Sequence, residues 1–82
     1  MATKIEKKKN VERFKAEVLL NLIDKYHTNV YPHFYKFECD GFVYDYYPAG
    51  GRLNRLSNID FRLNIWSDCS IDEFIDLFIN RA

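Results

Sequence analysis

The chain is poor in the residues that interrupt or cross-link a polypeptide: its 82 residues include only three glycines, two prolines and two cysteines. With so few breakers there is no Gly-, Pro- or Ser-rich stretch to serve as a linker. At 9.8 kDa there is room for one hydrophobic core, so a single domain over residues 1–82 is expected. Two cysteines, Cys39 and Cys69, are too few and too far apart for a disulfide framework or a zinc site, and free thiols are expected. No apolar run approaches the roughly 18 residues of a membrane span. The opening "MATKIEKKKN" lacks the apolar stretch of a secretory leader. These features point to a cytoplasmic protein that makes no membrane contact. The net charge is zero, which removes the bulk electrostatic basis for general nucleic-acid affinity. Gly50-Gly51 is not followed by the Lys-Ser/Thr of a phosphate-binding loop. His27 and His33 have no serine or cysteine in a nucleophile arrangement. Neither catalytic residues, a metal nor a cofactor are therefore expected.

What the sequence does have is apolar and aromatic: 48% hydrophobic residues and 17% Phe, Trp and Tyr, enough burial to offset the entropy lost on folding. Thr3 followed by Glu6 fits a capping box, so a helix is expected from Lys4. Val11, Phe14, Val18, Leu19, Leu22, Ile23 and Tyr26 recur at spacings of three and four, a core-facing stripe that ends near His27 to Asn29, ahead of Pro32. Residues 1–9, lysine-rich and without apolar anchors, are expected to fray. Asp40-Gly41 is a two-residue type I′ hairpin signal, because both central positions need positive φ. Counting outward from it sets Cys39 opposite Phe42, Glu38 opposite Val43, Phe37 opposite Tyr44, Lys36 opposite Asp45, Tyr35 opposite Tyr46 and Phe34 opposite Tyr47.

One face of that ribbon collects Tyr35, Phe37, Cys39, Phe42, Tyr44 and Tyr46, suited to lie under a helix, and the other collects Phe34, Lys36, Glu38, Val43, Asp45 and Tyr47. "AGGRLNRLSN" reads as the longest loop. The alternation of Ile59, Phe61, Leu63 and Ile65 with Asp60, Arg62, Asn64 and Trp66 reads as a third strand. Ser70 with Glu73 makes a second capping box, and Ile71, Phe74, Ile75 and Phe78 stripe a closing helix that runs nearly to Arg81. The fold expected is α+β, in the order α-β-β-β-α, with a three-stranded antiparallel meander covered on one face by two helices.

This order resembles the double-stranded-RNA-binding domain in topology alone. That family meets RNA through a basic cluster at the start of its last helix; here "SIDEFID" places Asp72, Glu73 and Asp76 there. A second resemblance rests on residues. "YDYYPAGGRL", with a helix before it and "IDEFIDLF" after it, resembles a motif of small bacteriophage-encoded accessory proteins: an acidic residue, two aromatics, Pro, a Gly-containing turn, then Arg or Lys. It maps to Asp45, Tyr46, Tyr47, Pro48, Gly51 and Arg52, and departs from many members at Leu53, where they carry an aromatic. The resemblance implies a phage protein acting in the host cytoplasm, in a class that includes inhibitors of host defences such as anti-CRISPR proteins, which mostly act by covering a surface.

Two surfaces follow as candidates. On the polar sheet face, Phe34, Tyr47 and Trp66 stand among Lys36, Asp45 and Arg62. With Arg52 and Arg55 of the loop they have the composition of a protein-binding interface. The charge is also uneven along the chain, +3 over residues 1–27 and −3 over residues 67–82. The alternative reading is therefore a nucleic-acid contact through Lys4, Lys7, Lys8, Lys9, Arg13 and Lys15 of the first helix. A homo-oligomer joined through the free edge of the third strand or through the exposed aromatics is a further option.

Overall fold

Thr3 caps the first helix as its spacing implies. In this computed structural model, which describes residues 3–80, the Thr3 hydroxyl accepts a hydrogen bond from the Glu6 N–H at 3.1 Å. Helix α1 then runs over Lys4–Glu17. The expected fraying is thus corrected for residues 4–9, which are helical; Met1 and Ala2, like Arg81, lie outside the described residues. A bend at Val18 (φ −117°) separates α1 from α2, Leu19–Lys25. The hydrogen-bonding pattern continues through it, since the Val18 N–H donates to Phe14 and the Leu22 N–H to Val18, both at 2.9 Å. Phe14, Val18 and Leu22, four apart, are completely buried.

The sheet has five strands: β1 Thr28–Val30, β2 Tyr35–Cys39, β3 Phe42–Tyr47, β4 Arg52–Leu56 and β5 Ile65–Asp68. They lie in sequence order and every neighbouring pair is antiparallel. The β2–β3 turn has Asp40 at φ 53° and Gly41 at φ 82°, and the register from Cys39↔Phe42 to Tyr35↔Tyr46 is the one counted from the sequence. Tyr35, Phe37, Cys39 and Tyr46 face inward and are buried with Leu53 beneath Phe14, Val18, Leu22, Ile71, Phe74 and Phe78. Phe42, expected inside, lies beyond the helices and stays 42% exposed.

The three-stranded meander is corrected to five strands for physical reasons that differ along the chain. The stretch expected as a loop becomes β4 because Gly51, at φ 64°, closes a tight turn: its N–H donates to the Pro48 carbonyl at 3.3 Å. A Cβ there would meet the Cys69 carbonyl oxygen at 3.4 Å. The stretch expected as the third strand is mostly not one. Ser57 Oγ accepts from the N–H groups of Ile59 and Asp60, and Asp60 caps a 3₁₀ turn over Phe61–Leu63. Asn64 Oδ1 takes the Ser57 N–H at 2.7 Å. These side-chain-to-backbone bonds give the segment an alternative to ladder pairing, and Ile59, Phe61 and Leu63 are left in solvent.

Ser70 caps the closing helix, accepting from the Glu73 N–H at 3.2 Å. That helix, α3, spans Ile71–Phe74 and widens into a π turn over Ile75–Ile79. Arg13 ties it to α1 through Asp72 Oδ1 at 2.6 Å. Among the described residues no helix is long and apolar enough to cross a membrane.

Candidate interaction surface

The helices cover one face of the sheet and leave the other uncovered. Register places a row Asn29, Lys36, Asp45, Asn54 and Trp66 straight across that outer face, beside a second row of Tyr47, Arg52 and Asp68. Of the residues expected to form a binding surface, Phe34, Lys36, Asp45, Tyr47, Arg52 and Trp66 are brought together here. Two are not. Arg55 pairs with Tyr44 on the inward side, its guanidinium 4.7 Å from the Phe42 ring centre. The strand formed by "RLNRL" puts Arg52 and Arg55 on opposite faces, because three residues apart on a strand reverses the side. Arg62 is held on the 57–64 loop by Asp60, its Nη2 at 2.6 Å from Oδ2, and this pairing lowers the Asp60 carboxyl below its ordinary range.

The aromatic side chains of this face form a continuous ladder. Tyr31 stacks on Phe34 at 4.6 Å between ring centres and 10° between planes, and Phe34 stacks on Tyr47 at 5.1 Å and 25°. Tyr47 leans on Trp66 at 5.5 Å and 37°, and the Arg52 guanidinium carbon lies 5.5 Å from the Trp66 ring centre. Arg52 Nε also meets Asp68 Oδ1 at 3.3 Å. Tyr31 was missed in the sequence because it falls in the turn before β2, where its N–H bonds the Phe34 carbonyl at 3.0 Å.

In such a ladder the rings of Phe34 and Tyr47 each have a neighbour on either side. A nucleobase or a sugar stacks on a free ring face, whereas a protein surface can pack against ring edges and bond to tyrosine hydroxyls at the tips.

The polar centre of the face is sealed. Asp45 and Asn54, a directly opposed pair, are only 7% and 4% exposed, and the Oδ1 atoms of both lack a hydrogen-bond donor. Lys36 Nζ lies 3.5 Å from Asp45 Oδ1, an ion-pair contact without hydrogen-bond geometry. Beyond them, His27, Asn29, Lys36, Glu38, Val43 and Leu56 border a shallow cleft of about 350 Å³.

The residues of the "DYYPAGGR" stretch divide between structure and surface. Tyr46 points into the core, its hydroxyl donating to the Cys69 carbonyl at 2.8 Å; burial pushes its phenol well above the ordinary range. Pro48 is fully buried, and Gly51 makes the turn. Tyr47 and Arg52 remain at the surface.

The basic helix offers less than its composition implies. Arg13 is engaged by Glu17 Oε2 at 3.0 Å and by Asp72 Oδ1 at 2.6 Å. Lys4, Lys7, Lys8, Lys9 and Lys15 are exposed, but at 3.6 residues per turn Lys9 falls away from the side shared by the other four.

Among the described residues no three His, Cys, Asp or Glu side chains converge to hold a metal ion. Cys39 and Cys69 form no disulfide and are buried. Burial, then the charge of Glu73, pushes the Cys69 thiol up from 9.0 to about 11, which makes it a poor nucleophile. Two outcomes are expected. Neither thiol should react with an aromatic disulfide reagent until the protein is denatured, when both should. Because the folded state holds the Cys69 proton more tightly than the unfolded chain, its contribution is complete below pH 9.0 and is lost as pH rises through about 11. Thermal melts across that window should show falling stability, less steeply in Cys69→Ala.

No family model, curated protein or solved structure significantly similar to this chain was found.

Proposed function

We propose that the chain is a non-enzymatic protein-binding module that docks through the outer face of its sheet. Following the resemblance of Asp45 to Arg52 to small phage proteins, its partner is a host protein, such as a defence component, whose action it blocks in the host cytoplasm. The observation that carries the binding reading is the Tyr31–Phe34–Tyr47–Trp66 ladder on a face no helix covers, ending in Arg52. Aromatic and arginine side chains dominate the energetics of protein interfaces. Here they are already locked against one another, so little rotamer freedom is lost on docking. With the rings of Phe34 and Tyr47 flanked on both sides, the middle of the ladder suits a protein better than a nucleic acid.

The test begins by identifying the host protein that the chain retains and then measures direct binding with both components purified. Tyr47→Ala combined with Arg52→Glu should weaken binding at least about tenfold, with an unchanged circular dichroism spectrum. Equal affinity would reject the surface. A nucleic-acid partner would leave another signature: affinity that falls steeply with salt and depends on Lys4, Lys7, Lys8 and Lys15.

A further inference from the structure

The two edges of the sheet are not alike. β1 is three residues long and is followed by Tyr31 and then Pro32, features that blunt an edge. β5, four residues long, carries no proline. The Cys69 N–H donates to the Gly51 carbonyl at 2.7 Å, which sets the phase of the β4–β5 ladder. Residues 65 and 67 bond toward β4, so Trp66 and Asp68 turn their backbone N–H and C=O groups to the open side. All four residues of β5 are exposed, and no strand of the described residues lies beyond it. The 57–64 loop that precedes β5 exposes Ile59 and Phe61 by 89% and 79%, but Ile59 and Leu63 border a cleft with Phe42 and Arg55 rather than the open edge. On β5 itself Ile65 and Trp66 are each about half exposed.

We propose that two copies of this chain join through β5, antiparallel and related by a two-fold axis at Ser67, making one ten-stranded sheet. Three observations favour a second copy as the occupant. First, the edge is self-complementary. With Ser67 on the axis, Trp66 of each copy lies opposite Asp68 of the other, and their outward donors meet outward acceptors on both sides. A register shifted by two residues would need the Asn64 N–H, which already donates to the Phe61 carbonyl at 3.1 Å.

Second, charge does not oppose the pairing. The net charge is zero, the two Asp68 side chains are not opposed, and each has Arg52 at 3.3 Å. Third, apolar surface remains open on the strand itself. Ile65 and Trp66, on opposite faces of β5, are each about half exposed, so a second copy would cover part of both side chains as it adds the ladder, a small share of the ~800 Å² per partner of a standard interface. Trp66 is shared with the partner-binding reading, but the mass in solution tests the pairing alone and direct binding tests the partner, so the two failures are distinguishable.

The test is the mass in solution by sedimentation equilibrium. Wild type is expected at twice 9.8 kDa. Asp68→Pro removes an outward N–H that β4 does not use, on an edge strand where proline is tolerated, and is expected to sediment as a single copy with an unchanged circular dichroism spectrum. Dilution should also shift the emission of Trp66, the one tryptophan in the chain. A wild-type protein that stays single at high micromolar concentration would overturn the proposal, as would an Asp68→Pro variant that keeps the doubled mass. If Asp68→Pro loses its fold, amide hydrogen exchange of the wild type decides. Protection of Trp66 and Asp68 that grows with concentration supports the pairing, and exchange independent of concentration overturns it.

Discussion

Replacing Phe74 with alanine is expected to remove about 3–5 kcal/mol of stability, the usual loss for a fully buried phenylalanine. Phe74 is completely buried and is the ring on which the two layers meet. It stacks on Tyr46 of β3 at 4.3 Å and lies 5.5 Å from both Phe14 of α1 and Phe37 of β2, with Phe78 at 4.9 Å. The short closing helix cannot shift to fill the gap, because Ser70 and Tyr46 fix the chain at its start. A domain of this size has a total stability of roughly 4–12 kcal/mol, so the loss is about a quarter of it or more. The melting temperature should fall by roughly 15 °C or more, measured by circular dichroism. A drop of only a few degrees would show that the core repacks.

The second expectation has the opposite sign. Asp45→Val combined with Asn54→Val should stabilise the protein by about 2 kcal/mol, because an unsatisfied buried polar group costs about 1–3 kcal/mol and replacing both members of such a pair by apolar groups removes that cost. The two residues face each other on central strands with both Oδ1 atoms lacking a donor, and valine suits a half-buried strand. Chemical denaturation reads the change as a higher midpoint at unchanged slope. A lower midpoint would mean that the Lys36–Asp45 contact at 3.5 Å contributes more than the buried oxygens cost. Proteins keep such unfavourable groups where function needs them, so the same variant tested for partner binding would show whether this polar centre belongs to the docking surface.

Features with a local cause could be read from the sequence. Asp40-Gly41 set the β2–β3 register because a two-residue turn leaves one way to count, and Thr3 and Ser70 marked both helix starts because their hydroxyls bond within one turn. The failures came where tertiary surroundings decide. Only Leu53 of β4 is an apolar residue facing the core, so the strand carries too little alternation to be recognised. Ile59 to Leu63 alternates cleanly yet faces water, because Ser57, Asp60 and Asn64 hold the backbone in turns. The candidate surface was legible in part. Phe34, Tyr47 and Trp66 follow from alternation, whereas Tyr31 joins them through a turn. Arg55 was misplaced by reading β4 as a loop, which hid the reversal of sides between it and Arg52.

The strand order β1 to β5 also bears on how the chain reaches its fold. Every ladder joins neighbours along the sequence, so each pairing needs only a short loop to close and little entropy is lost before the contact forms. The sheet can therefore zip outward from the Asp40-Gly41 bend. The one assembly step between remote segments brings Phe14 and Phe74 together across its inner side, and that step should set the speed of folding.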